Sequence, residues 1–217
     1  EKLLGYFGVS IELFDDIKIY LPKYLSNEQQ EQLFSELKAF PENIDSRFYT
    51  ELLKNEPLLY QGDGFDSVSF PDFESQEFRS VKGFLMSNTC DSHLGNERLF
   101  QPYISLAPIF SLSKWENALL ADGSSPQAVQ SHLDSIRSQK VSQFFYLPEH
   151  SGHEERFVRF DCVFSLSLTE EMHEKFLKSR LFTLSNYGFY VLLLKLGIHL
   201  TRVQERVDRD SKPSNSN

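Results

Sequence analysis

Residues 81–91, with the sequence VKGFLMSNTCD, restrict the fold of this chain more than any other segment. The first half is an apolar run that is too short for a helix, so we predict a strand. The second half, residues 87–91, places hydroxyl, amide, thiol and carboxylate groups directly after that strand. Because a rigid strand fixes the loop that follows it, polar side chains in such a loop often bind ligands. The segment therefore predicts a central strand with a site at its end.

Strand-like and helix-like patterns alternate along the rest of the chain. Alternating apolar residues predict further strands at 68–70, 103–110, 144–147 and 157–168. Apolar spacing and N-cap residues predict helices at 26–40, 45–54, 113–140, 169–179 and 185–208. The chain contains 20 phenylalanines, which suit a small sheet whose core needs large side chains. We therefore expect an α+β fold with about five or six strands in a small antiparallel barrel or curled sheet.

We divide the chain into three parts. Residues 1–56 are expected to form a strand and helical region packed on the sheet. Residues 57–210 contain the sheet, a helical insertion at about 113–140 and the C-terminal helices. The polar composition of residues 211–217 predicts a disordered tail.

Charge and cysteine content limit the class of protein. The net charge of −9 is concentrated in residues 1–80, which argues against binding nucleic acid over the whole surface, because such binding depends on neutralising phosphates. Residues 175–212 are rich in lysine and arginine, which fits either a solvated helix face or a local basic surface. Cys90 and Cys162 are too few for a disulfide framework. We expect a cytoplasmic protein without a membrane span, since the most apolar stretch is too short to cross one.

Four sequence pieces occur in a characteristic order. They are QGD at 61–63, FLMSNTCD at 84–91, ISLAPI at 104–109 and FVRFDCVFSL at 157–166. Together these pieces resemble the PemK/MazF-like family of toxin-fold proteins. The resemblance covers about residues 61–168 and implies an SH3-like barrel with a helical tail.

The resemblance also implies a function. Members of that family are metal-independent endoribonucleases, usually dimeric and neutralised by an antitoxin, so it implies RNA, an antitoxin and a second copy as partners and no cofactor. The setting would be a toxin–antitoxin or phage-defence system. In the family an arginine that enters the central strand and a threonine after the Ala-Pro strand carry the chemistry. The arginine matches Arg79, followed here by Ser80 instead of proline. The threonine position holds Phe110, and Ser111 is the nearest hydroxyl.

Cleavage of RNA requires that a 2′-hydroxyl loses a proton and that a cation stabilises the charged phosphorane. We expect Arg79 to supply the cation, Ser111 to position the phosphate and Asp91 to accept the proton. The polar residues after the central strand are expected to bind the substrate: Ser87, Asn88, Thr89, Cys90 and His93. The competing interpretation is that these side chains only stabilise a turn.

Two alternatives stay open. Cys90-x-x-His93 and His150-x-x-His153 have spacings that a tetrahedral zinc site uses, so the four residues would bind zinc if the fold brought them together. The other alternative is a non-catalytic module that uses the same sheet to bind a protein partner.

Overall fold

An antiparallel sheet of eight strands dominates the computed structural model, which describes residues 26–41, 43–72 and 75–201. The strands are β1 (Tyr49–Thr50), β2 (Gly64–Asp72), β3 (Glu77–Leu85), β4 (Tyr103–Ser111), β5 (Phe144–Leu147), β6 (Arg156–Arg159), β7 (Phe164–Ser167) and β8 (Arg180–Leu184). The helices of the described ranges are α1 (Asn27–Lys38), α2 (Leu112–Ala121), α3 (Pro126–Arg137), α4 (Glu170–Lys178) and α5 (Asn186–Thr201). The α+β prediction is confirmed, with eight strands rather than five or six.

The sheet curls until its two edges approach each other. The strand order is β1-β8-β2-β3-β4-β6-β5, and β7 pairs with the first half of β4. The hydroxyl of Tyr49 in β1 donates a hydrogen bond of 2.8 Å to the carbonyl of Pro148, directly after β5. Within the described ranges no backbone ladder joins β1 to β5. The architecture is therefore the curled sheet rather than the closed barrel.

Strand β4 is shared by two partners on one of its sides. Residues up to Leu106 pair with β7, and residues from Ile109 pair with β6. Pro108 lies between these two ladders. Proline has no N–H for a ladder hydrogen bond, and the gap between β7 and β6 is a position where that donor is not needed.

Aromatic side chains fill the inside of the curl. The ring of Phe84 lies 5.8 Å from that of Phe145 and 6.4 Å from that of Phe182, measured between centroids. A second core lies on the other face of the sheet, where Phe176 of α4 packs against Phe65 of β2. A third lies beneath α2 and α3. The aromatic surplus therefore supplies the bulk of three small cores.

Two predicted elements are wrong. The predicted helix at 45–54 is a 3₁₀ turn, Ser46–Phe48, followed by β1, in which Tyr49 pairs with Leu184. Tertiary packing overrides the local helical pattern at these residues, since Phe48 is fully buried in the inner core. The predicted strand at 157–168 is divided into β6 and β7, which pair with different halves of β4.

Several predictions fall on residues outside the described ranges. These are the strand within residues 1–25, the disordered tail at 211–217 and the end of the last helix beyond Thr201. The division at residue 57 stays a prediction, although β1, from the first part, pairs with β8 of the second. Among the helices of the described ranges, none combines the length and the apolar character needed to cross a membrane.

A buried ion pair connects β8 to the start of β2. The Nε atom of Arg180 lies 3.1 Å from Oδ2 of Asp63, a carboxylate that is fully buried. Thr183 donates its hydroxyl to Oδ1 of Asp63 at 2.7 Å, and the amide of Tyr60 donates to Oδ2 at 2.9 Å. Burial raises the pKa of Asp63 to about 6, so the group is ionised at neutral pH. The Gly-Asp pair that opens the sheet thus has a structural role.

Lys195 of α5 is also fully buried, and it gives a prediction about pH and stability. Its Nζ donates hydrogen bonds of 2.7 Å to the carbonyls of Gln139 and Val141, and burial lowers its pKa to about 7. An unfolded lysine keeps its proton up to about pH 10.4. Between these two pKa values the unfolded chain binds more protons, so the free energy of unfolding rises with pH by up to about 1.4 kcal/mol per pH unit.

Thermal unfolding of the wild type and of Lys195→Met between pH 7 and pH 10 measures this contribution. We expect the wild-type Tm to rise with pH relative to that of the variant, because the variant lacks the titrating group. Parallel curves for the two proteins would contradict the assignment.

Candidate functional site

Polar residues of five strands and one hairpin meet at one opening of the curled sheet, which we call the mouth. Its residues are Tyr49, Asp66, Lys82, Ser111, His150, His153, Glu154 and Arg156. Lys82 lies opposite Ile109, and Ser111 lies opposite Arg156. Since opposed residues and residues two apart share a face of a sheet, Lys82, Ser111 and Arg156 all lie on the face that lines the curl. The cavity at the centre of the mouth is small, about 10 Å³, so a ligand would bind across the opening rather than inside it.

Arg156, the first residue of β6, is the most unusual group at the mouth. The residue is only 7% exposed, and burial lowers the pKa of its guanidinium. Within the described ranges its side chain makes no hydrogen bond or ion pair, but the charges of Glu154 and Asp66 act on it. The nearest acids are engaged elsewhere: Glu154 with Ser113, and Asp66 with Lys82.

A cation that is partly withdrawn from water and forms no ion pair is unfavourable. An anion with several oxygen acceptors, such as a phosphate, would satisfy the planar guanidinium of Arg156 through paired hydrogen bonds. Arg156 is therefore the group best suited to bind an anion at the mouth, which also contains the carboxylates of Asp66 and Glu154.

A tight turn brings two histidines to the mouth. The backbones of His150 and His153 exchange hydrogen bonds of 3.1 and 2.9 Å, with Ser151 at φ +50° and Gly152 at φ +76° between them. The ring of His150 stacks on Tyr49 at a centroid distance of 4.4 Å. Burial and the positive charge of Arg156 lower the pKa of His153. His153 is therefore neutral at pH 7 and can accept a proton.

A chain of hydroxyls fixes Glu154 at the side of the mouth. Ser113 donates to Oε2 of Glu154 at 2.6 Å, and the hydroxyls of Ser113 and Ser111 share a hydrogen bond of 2.9 Å. These hydroxyls lower the pKa of Glu154. Ser111 also caps α2 by accepting a hydrogen bond from the amide of Lys114. Ser111 thus connects the end of β4 to the mouth.

On the opposite side, Lys82 of β3 forms an ion pair with Asp66, which lies in an irregular part of the β2 ladder. Hydrogen bonding to Lys82 lowers the pKa of Asp66. The charges of Lys82 and Asp66 also act on His153. The mouth thus contains two basic side chains, Lys82 and Arg156, of which only Lys82 forms an ion pair within the described ranges.

Glu155 holds the start of β6 from behind the mouth. Its two carboxylate oxygens accept hydrogen bonds of 2.8 Å from Nε and Nη2 of Arg137 in α3. The hydroxyl of Tyr146 in β5 also donates to Glu155. Because Glu155 is anchored on this side, its neighbours Glu154 and Arg156 are directed toward the mouth.

The structure separates Arg79 from Ser111. Arg79 lies opposite Phe70 and forms an ion pair with Asp72, within the β2–β3 hairpin. Residues 79 and 82 differ by an odd number of positions, so Arg79 lies on the opposite face of β3 from Lys82. Of the predicted catalytic residues, Ser111 is at the mouth and Arg79 is not.

The polar cluster after β3 lies at the other end of that strand. Its side chains mostly bond to nearby backbone: Ser87 accepts from the amide of Ser105, Asn88 from that of Cys90, and Thr89 from that of Gln61. These contacts favour the interpretation as a stabilised turn. Asp91 belongs to the same exposed loop, which Arg98 fixes through the carbonyls of Cys90 and Asp91.

The fold also separates the two pairs of the zinc alternative. Cys90 and His93 follow the C-terminal end of β3, where His93 contacts Asn96, whereas His150 and His153 lie between β5 and β6 at the mouth. In the described ranges no three His, Cys, Asp or Glu side chains are close enough to hold a metal ion.

Sequence reasoning missed Arg156, Lys82 and Glu154 as site residues. A signal for part of the site was present, because the loop PEHSGHEER at 148–156 contains two histidines and ends in an arginine at a strand start. Lys82 gave no such signal, since its place at the mouth depends on the pairing of β3 with β4.

Comparison with known proteins does not assign a relative to the chain. No family model matches it, and no curated protein sequence matches it either.

Proposed function

We propose that this protein is a metal-independent endoribonuclease that binds a phosphate of RNA at the mouth. The observation that supports it most is Arg156, a residue that is only 7% exposed and whose guanidinium makes no hydrogen bond or ion pair within the described part of the chain, next to a neutral histidine. The resemblance to PemK/MazF-like proteins supplies the expected reaction, and the mouth supplies side chains suited to it.

The proposed reaction is an attack by the 2′-hydroxyl on the adjacent phosphorus. His153 accepts the hydroxyl proton while the bond from O2′ to phosphorus forms. Arg156 and Lys82 stabilise the negative charge of the phosphorane. The bond to the 5′-oxygen then breaks, and the protonated ring of His150 gives that oxygen a proton. Exchange with water afterwards removes the proton from His153 and returns one to His150. The products are a 2′,3′-cyclic phosphate and a free 5′-hydroxyl.

Cleavage of end-labelled single-stranded RNA in the presence of EDTA tests this proposal. We expect fragments that end in a cyclic phosphate, and a rate loss of about 10²- to 10⁴-fold for His153→Ala, the usual contribution of a general base. Arg79→Ala is the control, because Arg79 lies on the opposite face of β3 and is paired with Asp72. Loss of cleavage in Arg79→Ala but not in His153→Ala would contradict the assignment to the mouth.

The rate should also depend on pH through His153. Because burial lowers the pKa of this imidazole, it protonates only below the usual value near 6.5. We expect kcat/KM to fall as the pH drops through that lowered pKa, since the protonated ring accepts no proton. A pH profile of kcat/KM for the wild type and His153→Ala measures this. If the variant keeps the same acidic limb, another group is the base.

A second candidate is the non-catalytic interaction module. Exposed apolar side chains at the end of the sheet opposite the mouth favour it: Leu99, Phe100 and Tyr103. An antitoxin or other protein partner and a second copy stay predictions under either candidate. Binding of a partner that is abolished by Phe100→Ala, in a protein that cleaves no RNA, would favour the module.

A further inference from the structure

Strands β2 and β3 extend beyond the rest of the sheet as a two-stranded ribbon, which we define as residues 67–72 and 77–81. Strand β8 pairs with β2 only at Gly64 and Phe65, and β4 pairs with β3 only from Lys82 onward. In the described ranges the ribbon residues therefore pair only with each other. The ribbon adjoins the mouth, because Lys82 directly follows it.

The two faces of the ribbon differ in chemistry. Ser80 and Phe78 share a face with Lys82, since they precede it by two and four residues. Their partners on β2 are Ser69 and Pro71, and Ser80 also shares a hydrogen bond of 2.8 Å with the hydroxyl of Ser67. This mouth-side face thus carries hydroxyls and one aromatic ring, without a carboxylate among the described ribbon residues.

The acidic groups of the ribbon lie on the other face. Glu77 and Arg79 alternate with Phe78 and Ser80, and Asp72 lies opposite Glu77. Asp72 is paired with Arg79 there. A polyanion that approaches the mouth along the ribbon would therefore meet the hydroxyls and the Lys82–Asp66 ion pair rather than the carboxylates of Asp72 and Glu77.

Phe78 is 76% exposed, although it belongs to a regular strand. Its Cα is about 13 Å from that of Lys82, at roughly 3.3 Å per residue. An exposed ring at this distance from a phosphate site matches the way single-stranded nucleic acids are held, with bases stacked on aromatic side chains and the backbone beside cations.

We propose that the mouth-side face of the ribbon binds single-stranded RNA, with one base stacked on Phe78 and the backbone passing Ser80 and Lys82 into the mouth. This inference rests on the proposed function and names its substrate as an unpaired strand that extends beyond the cleaved bond. Continuity with the mouth and the separation of the acidic groups favour RNA over a protein as the occupant.

Steady-state cleavage of a single-stranded dodecamer and of a dinucleoside monophosphate tests the inference. The dinucleoside fills only the mouth, whereas the dodecamer also reaches the ribbon. We expect Phe78→Ala to raise KM for the dodecamer about 5- to 100-fold, the range of a lost base stack, and to leave kcat and the dinucleoside reaction unchanged. Phe78→Trp should restore the wild-type KM. Phe100→Ala is the matched control, because Phe100 is 71% exposed but precedes the opposite end of β4.

The outcomes distinguish the two proposals. If the wild type cleaves both substrates and Phe78→Ala behaves like the wild type, the ribbon inference is overturned and the proposed function stands. The ribbon inference would also be overturned if Phe78→Ala lost both reactions, since Phe78 would then be needed for folding rather than for binding RNA. If the wild type cleaves neither substrate, the proposed function fails. In that case, fluorescence anisotropy with the labelled dodecamer tests the ribbon inference separately. The inference is overturned if the wild type and Phe78→Ala bind the dodecamer equally well, or if neither protein binds it.

Discussion

Arg156→Met is expected to abolish RNA cleavage without weakening the fold. Loss of one preorganised donor to a developing negative charge typically lowers kcat by about 10²- to 10³-fold. Arg156 is only 7% exposed and its guanidinium forms no ion pair within the described ranges, so replacing it with an apolar side chain of similar length removes a desolvation cost. We therefore expect a Tm equal to or above that of the wild type, together with the loss of activity.

Three variants make this test specific. Arg79→Met removes an exposed arginine that is paired with Asp72, and should change neither cleavage nor stability appreciably. Arg156→Lys keeps the charge but loses the paired donors, and should retain only part of the activity. Should Arg156→Met lower the Tm by many degrees, the side chain would have a structural partner, and its role at the mouth would have to be abandoned.

Asp63→Ala is expected to cause the largest loss of stability. The substitution leaves Arg180 buried without its counter-charge and removes the acceptor of Thr183 and of the Tyr60 amide. Breaking a buried ion pair by removing one partner typically costs about 3–5 kcal/mol. Urea denaturation measures this change in the free energy of unfolding.

Asp66→Ala is the matched control for that prediction. Asp66 also forms an ion pair from β2, but the pair with Lys82 is largely exposed, so its loss should cost about 1 kcal/mol or less. The double variant Asp63→Leu/Arg180→Met removes both buried charges and should recover part of the lost stability. Equal effects of Asp63→Ala and Asp66→Ala would show that burial does not set the cost.

Local patterns of the sequence predicted much of the fold. The strand expected from residues 81–91 ends at Leu85, directly before the polar residues, and Ser125 caps α3 with Pro126 in its first turn. These features depend on neighbouring residues, so they are readable from the sequence. The helix expected at 45–54 failed because Tyr49 pairs with Leu184, a contact that no local pattern records.

The site was less predictable than the fold, because it depends on register. Ser111 reaches the mouth as expected, but its neighbour there is Arg156 rather than Arg79. Along the sequence Arg79 is nearer to Ser111 than Arg156 is. In the fold Arg156 is the neighbour of Ser111, because β4 pairs with β6. Conversely, Asn88 and Thr89 have the residue types of a binding loop, yet their oxygens accept hydrogen bonds from the backbone.

The two edges of the sheet, β1 and β5, are not joined by a backbone ladder, and this affects how a polymer can reach Arg156. Where β1 meets the β5–β6 hairpin, the contact consists of side chains: the Tyr49 hydroxyl on Pro148 and the stacked ring of His150. Parting this seam gives up the hydrogen bond, the ring stack and part of the burial of Tyr49, while every backbone ladder of the sheet stays intact. Side-chain contacts alone therefore set the width of the entrance beside Arg156, whereas hydrogen-bonded strands hold the residues that line it.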